Sequence, residues 1–253
     1  MRVRFPLRAP HFHGDVCSRW VYAGRMCGRY ALFGPLKCSR RLAQDADPAL
    51  LDALRRAIDA GSPRYNISPH QHVPVLRLQQ GMPRIDDLRW GLVPFWAKDA
   101  SLGDHAFNAH METVADKPMF RAAFKTRRCL VPASGYFVWK QGTDGKRPYF
   151  VHERSGDPLL MAGLWERWQG TEGAELSSFT ILTARACPSL KPLQERMPVV
   201  LDPDLWMDWL AAPAHMAGAL LAGNPDPGLE AYPVSREIGS KAHDHAGLIR
   251  PLR

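Results

Sequence analysis

Hydrophobic and polar positions along this 253-residue chain follow two periods. Between Asp47 and Gly61, Leu50, Leu51, Leu54 and Ile58 recur every three or four residues, which is the spacing of one helical face. Asp47 is a capping type, Pro48 suits the first helical position and Gly61 stops the run, so a helix is predicted from Pro48 to about Ala60. Phe120 to Arg128 reads as a short amphipathic helix with a basic face. Asp202 and Pro203 start another helix running to about Leu210, and one more follows Pro213. The remaining apolar runs are short and bounded by turn residues. Strands are predicted at Val73–Leu78, Cys129–Trp139, Pro148–His152, Leu159–Trp165 and Ser177–Thr183, with turns at Gly81-Met82-Pro83 and Gly142–Gly145. The stretch Leu88–Trp96 is dense in aromatics and ends in a proline-bent loop, and the residues between Cys27 and the first helix read as loop. There is no internal repeat and no regular βαβ period. These patterns give one α+β domain, a curved, barrel-like and largely antiparallel sheet with flanking helices.

Composition narrows the class. A hydrophobic content of 45% with eight tryptophans indicates a packed core. The formal charge is +8, and half of it comes from residues 1–25, which hold five arginines and one acid. A moderately basic body is compatible with nucleic acid without demonstrating it. The five cysteines are odd in number and form no CxxC pair, which argues against a disulfide framework and a structural zinc, and for a reducing compartment. No apolar run is long enough to span a bilayer, and residues 1–25 lack the apolar centre of a secretory signal. The expectation is a cytoplasmic protein with residues 1–26 as a leader, upstream of the true start at Met26 or removed, and a working domain over 27–253.

That division gives Met26-Cys27-Gly28-Arg29-Tyr30 a chemical meaning. With the methionine gone, Cys27 carries a free α-amine beside its thiol. Such a 1,2-aminothiol condenses with an aldehyde and closes a five-membered thiazolidine ring. The α-amine has a reference pKa of about 7.7–8.0, so part of it is the neutral nucleophile near neutral pH. The thiol attacks as thiolate and gains from a base or a positive neighbour. The competing reading of the same pentapeptide is a buried cysteine at the start of a strand.

Taken together, the motifs resemble the SOS-response-associated peptidase family, the abasic-site-processing proteins. The matching pieces run in order from Cys27-Gly28-Arg29-Tyr30 through Arg64-Tyr65-Asn66, Trp90-Gly91-Leu92-Val93-Pro94, Asn108-Ala109, Glu112-Thr113 and Cys129–Ala133. They continue through Gly135-Tyr136-Phe137, Phe179–Thr183, Arg196-Met197-Pro198 and Tyr232–Ser235. The resemblance implies an enzyme, without metal or cofactor, that acts as a monomer on abasic sites in single-stranded DNA. It also implies that Cys27 bonds covalently to the ring-opened sugar and that a longer leader is self-cleaved. Asn108 matches the family's active-site asparagine. Arg29, His110, Arg121, Arg127 and Arg128 are candidates for phosphate contact, and Phe95 and Trp96 for stacking beside the lesion, whereas Trp90 reads as core.

Three positions depart from the family pattern, two of them at proton-transfer groups. Val138 stands where a glutamate is expected, and Gln194 where a histidine is expected just before the Arg-Met-Pro motif. His110 replaces an arginine. Neither valine nor glutamine transfers protons near pH 7. Glu112, His105 and His110 are the candidate substitutes. Two other readings stay open: a non-catalytic module that binds single-stranded or damaged DNA, and a thiol peptidase.

Overall fold

The computed structural model describes residues 28–170, 173–222 and 228–252. Cys27 and the leader at 1–26 lie outside the described residues. In chain order the elements are β1 (Tyr30–Leu32), α1 (Arg40–Asp45), α2 (Pro48–Ala60), β2 (Arg64–Ile67), β3 (His72–Gln79), β4 (Met82–Trp90), a 3-10 helix at Ala100–His105 and β5 (Asn108–His110). Then come α3 (Arg121–Thr126), β6 (Arg128–Ala133), β7 (Gly135–Gly142), β8 (Gly145–Glu153), β9 (Leu159–Gln169) and β10 (Glu175–Arg185). The chain finishes with β11 (Arg196–Pro198), α4 (Trp206–Ala211), α5 (Ala214–Ala222), β12 (Leu229–Pro233) and short 3-10 turns.

The helix expected after Asp47 forms as the spacing requires. The Asp47 carboxylate accepts from the Ala49 and Leu50 amides at 2.9 and 3.0 Å, and all four periodic apolar residues are buried. Each contributes about 1.5–3 kcal/mol by leaving water. The segment read as loop before it contains α1, six residues with Leu42 as its buried residue, too short to show a period.

Two sheets make the fold. Strands β10, β4, β3, β6 and β9 pair in a ring, because β10 joins β4 in parallel and β9 in antiparallel fashion. All other pairings in the ring are antiparallel, so the barrel-like expectation holds. β5 and β11 lie along opposite edges of β10, beyond β4 and β9. The second sheet runs β12-β8-β7-β1-β2. The main core fills the ring and the space between the sheets, while Ala31, Phe137, Phe150, Val234, Ile238 and Leu248 form a smaller cluster on the far face of the second sheet.

The strand expected over Cys129–Trp139 is two strands belonging to different sheets. The chain crosses at Ser134, whose amide donates to Ala31 O at 2.7 Å and whose hydroxyl accepts from the Phe33 amide at 3.0 Å. Gly135 permits the crossing. A Cβ there would stand 2.6 Å from Val151 O and 2.3 Å from the Phe150 ring.

Candidate functional site

The first described residues lead into β1 against β7. Tyr30 stands opposite Tyr136, Ala31 opposite Gly135, and the Phe137 amide donates to Arg29 O at 3.0 Å. Continuing this antiparallel register puts Gly28, the neighbour of Cys27, opposite Val138. Side chains alternate along a strand, so Val138 shares the face of Tyr136 and packs in the main core, 3% exposed. An apolar side chain is thus embedded beside the start of β1. Arg29 is half-buried, its Nη1 donates to Gly28 O at 3.1 Å, and burial lowers the pKa of its guanidinium.

Asn108 opens β5. In register, Asn108 stands beside Ile181 and His110 beside Thr183, while across β10 Pro198 stands beside Thr183 and Arg196 beside Arg185. The pleat therefore puts Asn108, His110, Thr183 and Arg196 on one face of β5–β10–β11. Arg196 grips Glu112 with two hydrogen bonds, 3.1 and 2.8 Å, and donates to Thr183 O at 2.6 Å. Burial pushes the Glu112 carboxyl up, but the hydrogen bonds and charge of Arg196 outweigh it and hold the group below the usual carboxylate range. Glu112 is accordingly an ionised partner of Arg196, poorly suited to carry a proton near neutral pH. The His110 imidazole is held below its ordinary pKa, first by burial and then by the charge of Arg196, so near pH 7 it is a neutral base. His105 lies exposed in the 3-10 helix before β5. Gln194 sits in the turn before Arg196. Its amide donates to Leu190 O at 3.1 Å, and its Nε2 is buried without a hydrogen-bond partner among the described residues.

Stacked rings link these two parts. Tyr30 meets Trp90 edge-on at 5.3 Å, Trp90 stacks on Phe179 at 6.3 Å, and the Trp90 indole donates to Phe107 O, next to Asn108, at 2.7 Å. Trp90 is core, as its sequence context suggested. Phe95 and Trp96 are 55% and 49% exposed on the loop that follows. The loop is held at its base, where Gly91 N donates to Phe179 O and Val93 N to Ser178 Oγ, both at 2.8 Å. Gly91 has φ +129°, and a Cβ there would stand 2.6 Å from Gly103 O, so glycine is required.

The profile of a family described as SOS response associated peptidase (SRAP) matches residues 26–241. This chain belongs to that family. Among SRAP relatives, Abasic site processing protein YoaM of Bacillus subtilis (strain 168) is 34% identical over 192 residues, covering 74% of this chain and 84% of its own. Abasic site processing protein YedK of Escherichia coli (strain K12) is 29% identical over 238 residues, covering 90% of this chain and all of its own. A crystal structure of a protein from Bacteroides thetaiotaomicron superposes with a TM-score of 0.72 at 21% identity, over 88% of this chain, and shows the same fold.

The basic candidates of this SRAP chain divide in the structure. Arg121 is exposed at the start of α3. Arg127 pairs with the buried Glu166 at 2.8 Å. The expectation for Arg128 is corrected. It is 6% exposed, and its guanidinium donates to the carbonyls of Trp209 at 2.6 Å, Phe124 at 2.9 Å, Lys125 at 3.3 Å and Ala212. Those carbonyls end α3 and α4, where a cation is favoured, and the arginine has no face left for a phosphate. Arg196, in the Arg-Met-Pro motif, has a role that its sequence context alone does not show. Its pairing with Glu112 spans 84 positions of sequence. Among the described cysteines, Cys129 is fully buried and its thiol pKa is pushed up, which leaves it inert.

Proposed function

We propose that this SRAP chain recognises abasic sites in single-stranded DNA and, once Cys27 is N-terminal, bonds covalently to them. The observation that carries the reading is the shared face of Asn108, His110 and Arg196, with Glu112 paired to Arg196. These residues occupy motif positions of a family whose curated relatives are named abasic site processing proteins. The ring-opened abasic sugar is an aldehyde. The Cys27 amine adds to it and releases water to give an imine. The thiol sulfur then bonds to the imine carbon while its proton passes to nitrogen, closing the thiazolidine. Asn108 orients the sugar through its amide. His110, neutral and on the same face as Asn108, is assigned the proton transfers that Val138 and Gln194 cannot perform. Phe95 and Trp96 offer exposed rings on which bases beside the lesion stack. A longer leader is removed slowly, since Val138 and Gln194 supply no proton transfer, and until it is removed the amide nitrogen of Cys27 cannot form the imine.

A chain beginning at Cys27, mixed with an abasic single-stranded oligonucleotide, is expected to give an adduct on a denaturing gel that Cys27→Ala abolishes. An adduct surviving that substitution would be an imine of the α-amine or of a lysine, without the thiazolidine ring, and would end the proposal. Val138→Glu with Gln194→His is expected to speed the reaction, provided the variants melt like the parent. The buried Val138 also favours a second reading, a damaged-DNA binding module without turnover. Tight binding of abasic DNA with no adduct at any time would select that one.

A further inference from the structure

We infer that the β7–β8 hairpin is a phosphate track, holding the sugar–phosphate backbone of the single strand next to the reacting nucleotide. The inference rests on the DNA reading above and extends it to residues outside the motif positions. Lys140 and Arg147 stand directly opposite each other in the β7–β8 register, both exposed. The pleat aims them at the same face, and like charges in that arrangement destabilise a sheet. No carboxylate relieves them, because neither forms an ion pair among the described residues. Arg236 reaches over from the 3-10 turn after β12 and donates to Asp144 O at 2.9 Å at the hairpin tip. A groove of about 220 Å³ lies between them, lined by Lys140, Arg147, Tyr149 and Arg236. Its one acid is Asp144, whose carboxylate accepts from Thr143 Oγ1 at 3.4 Å. Three cations against one anion make the groove an anion site.

Its position selects the anion. Val138 lies two residues before Lys140 on the same face of β7, and Tyr149, opposite Val138, lies two residues after Arg147 on β8. Two residues of strand advance about 7 Å. Val138 is also the residue across from Gly28, next to Cys27. Lys140 therefore lies about 7 Å along β7 from the residue across from Gly28, with the half-buried Tyr149 ring on the side of β7 away from β1. A pair of exposed cations on the hairpin that extends outward from beside the start of β1 fits an extended polyanion leaving that end of the sheet. A protein with an acidic surface is the alternative occupant.

The test uses a chain beginning at Cys27 and an undamaged single-stranded oligonucleotide, with affinity followed by fluorescence anisotropy against salt. Losing two phosphate contacts in Lys140→Gln/Arg147→Gln should flatten the log–log salt slope by about 1.4. The swap Lys140→Arg/Arg147→Lys should retain the parent slope. Lys146→Gln, on the opposite face across from Gln141, should flatten it less than Lys140→Gln. An unchanged slope in a folded double variant, or an equal loss from Lys146→Gln, overturns the track. If the parent gives no adduct with abasic DNA while the slopes behave as stated, the covalent function fails and the track stands. If the adduct forms and the slopes do not move, the track alone fails.

Discussion

Two pairs of basic residues flank the crossing from β6 to β7 and serve opposite ends. Arg127 and Arg128, adjacent in sequence, turn inward: one neutralises the buried Glu166, the other ties the ends of α3 and α4 together. Lys140 and Arg147, seven positions apart, are brought face to face at the rim of a hairpin and have no ion-pair partner among the described residues. The inward pair is already bonded, so its charge is spent on stability. The outward pair carries electrostatic strain that a ligand would relieve. A positive side chain thus contributes to recognition only where the fold withholds its partner.

The contrast breaks most readily at Arg128. Arg128→Ala would leave carbonyls at two helix ends buried and unpaired and remove the guanidinium from the Trp209 ring. A loss of about 3–4 kcal/mol is expected in urea unfolding. A loss below about 1 kcal/mol would mean that water satisfies those carbonyls and that the arginine is free for other work. Arg127→Ala comes next. It strands the Glu166 carboxylate, 2% exposed, and should cost about 2–3 kcal/mol. Arg127→Ala/Glu166→Gln should recover part of that loss, and a double variant as unstable as the single one would place the cost elsewhere. The outward pair should behave differently. Lys140→Gln/Arg147→Gln should leave stability within about 0.5 kcal/mol of the parent, shifted upward if at all, as the cross-strand repulsion goes. A clear loss of stability would show that these cations already have a structural partner.

This division was not legible in the sequence, because nothing in Arg127-Arg128 says which carbonyls wait for a guanidinium. Helix α2 was fully legible, since cap, proline, apolar period and stop all lie within 15 residues and agree. The exposed Phe95 and Trp96 and the buried Trp90 followed from the prolines and turn residues around them. Closure of the ring by β4 and β10 was hidden, as residues near 90 and 179 must find each other. The break at Ser134 was hidden too, because both halves of that run are apolar and only their partners differ. β5 and β11, three residues each, are too short to carry a period, yet they hold Asn108 and Arg196. Resemblance found Asn108. The pairing of Arg196 with Glu112, which sets the electrostatics around His110, needed the fold.

The smallest expected effect tests that last pairing through pH. His110 is lowered by burial, by Arg196 and by Lys117, and Glu112 is the carboxylate that opposes them. Glu112→Gln removes the one charge that favours the imidazolium, so the pKa of His110 falls further. If cross-linking needs both a neutral Cys27 amine and a neutral His110, log rate should rise with pH and lose slope in two steps. Below the amine's pKa, about 7.7–8.0, the slope should be about one, and below that of His110 about two. Glu112→Gln should carry the lower break to more acid pH and leave the upper one, that of the amine, in place. His110→Gln should erase the lower break and slow the reaction at every pH. A lower break that stays where it was in Glu112→Gln, or survives His110→Gln, would belong to another group, and the proton transfers assigned to His110 would have to be given up.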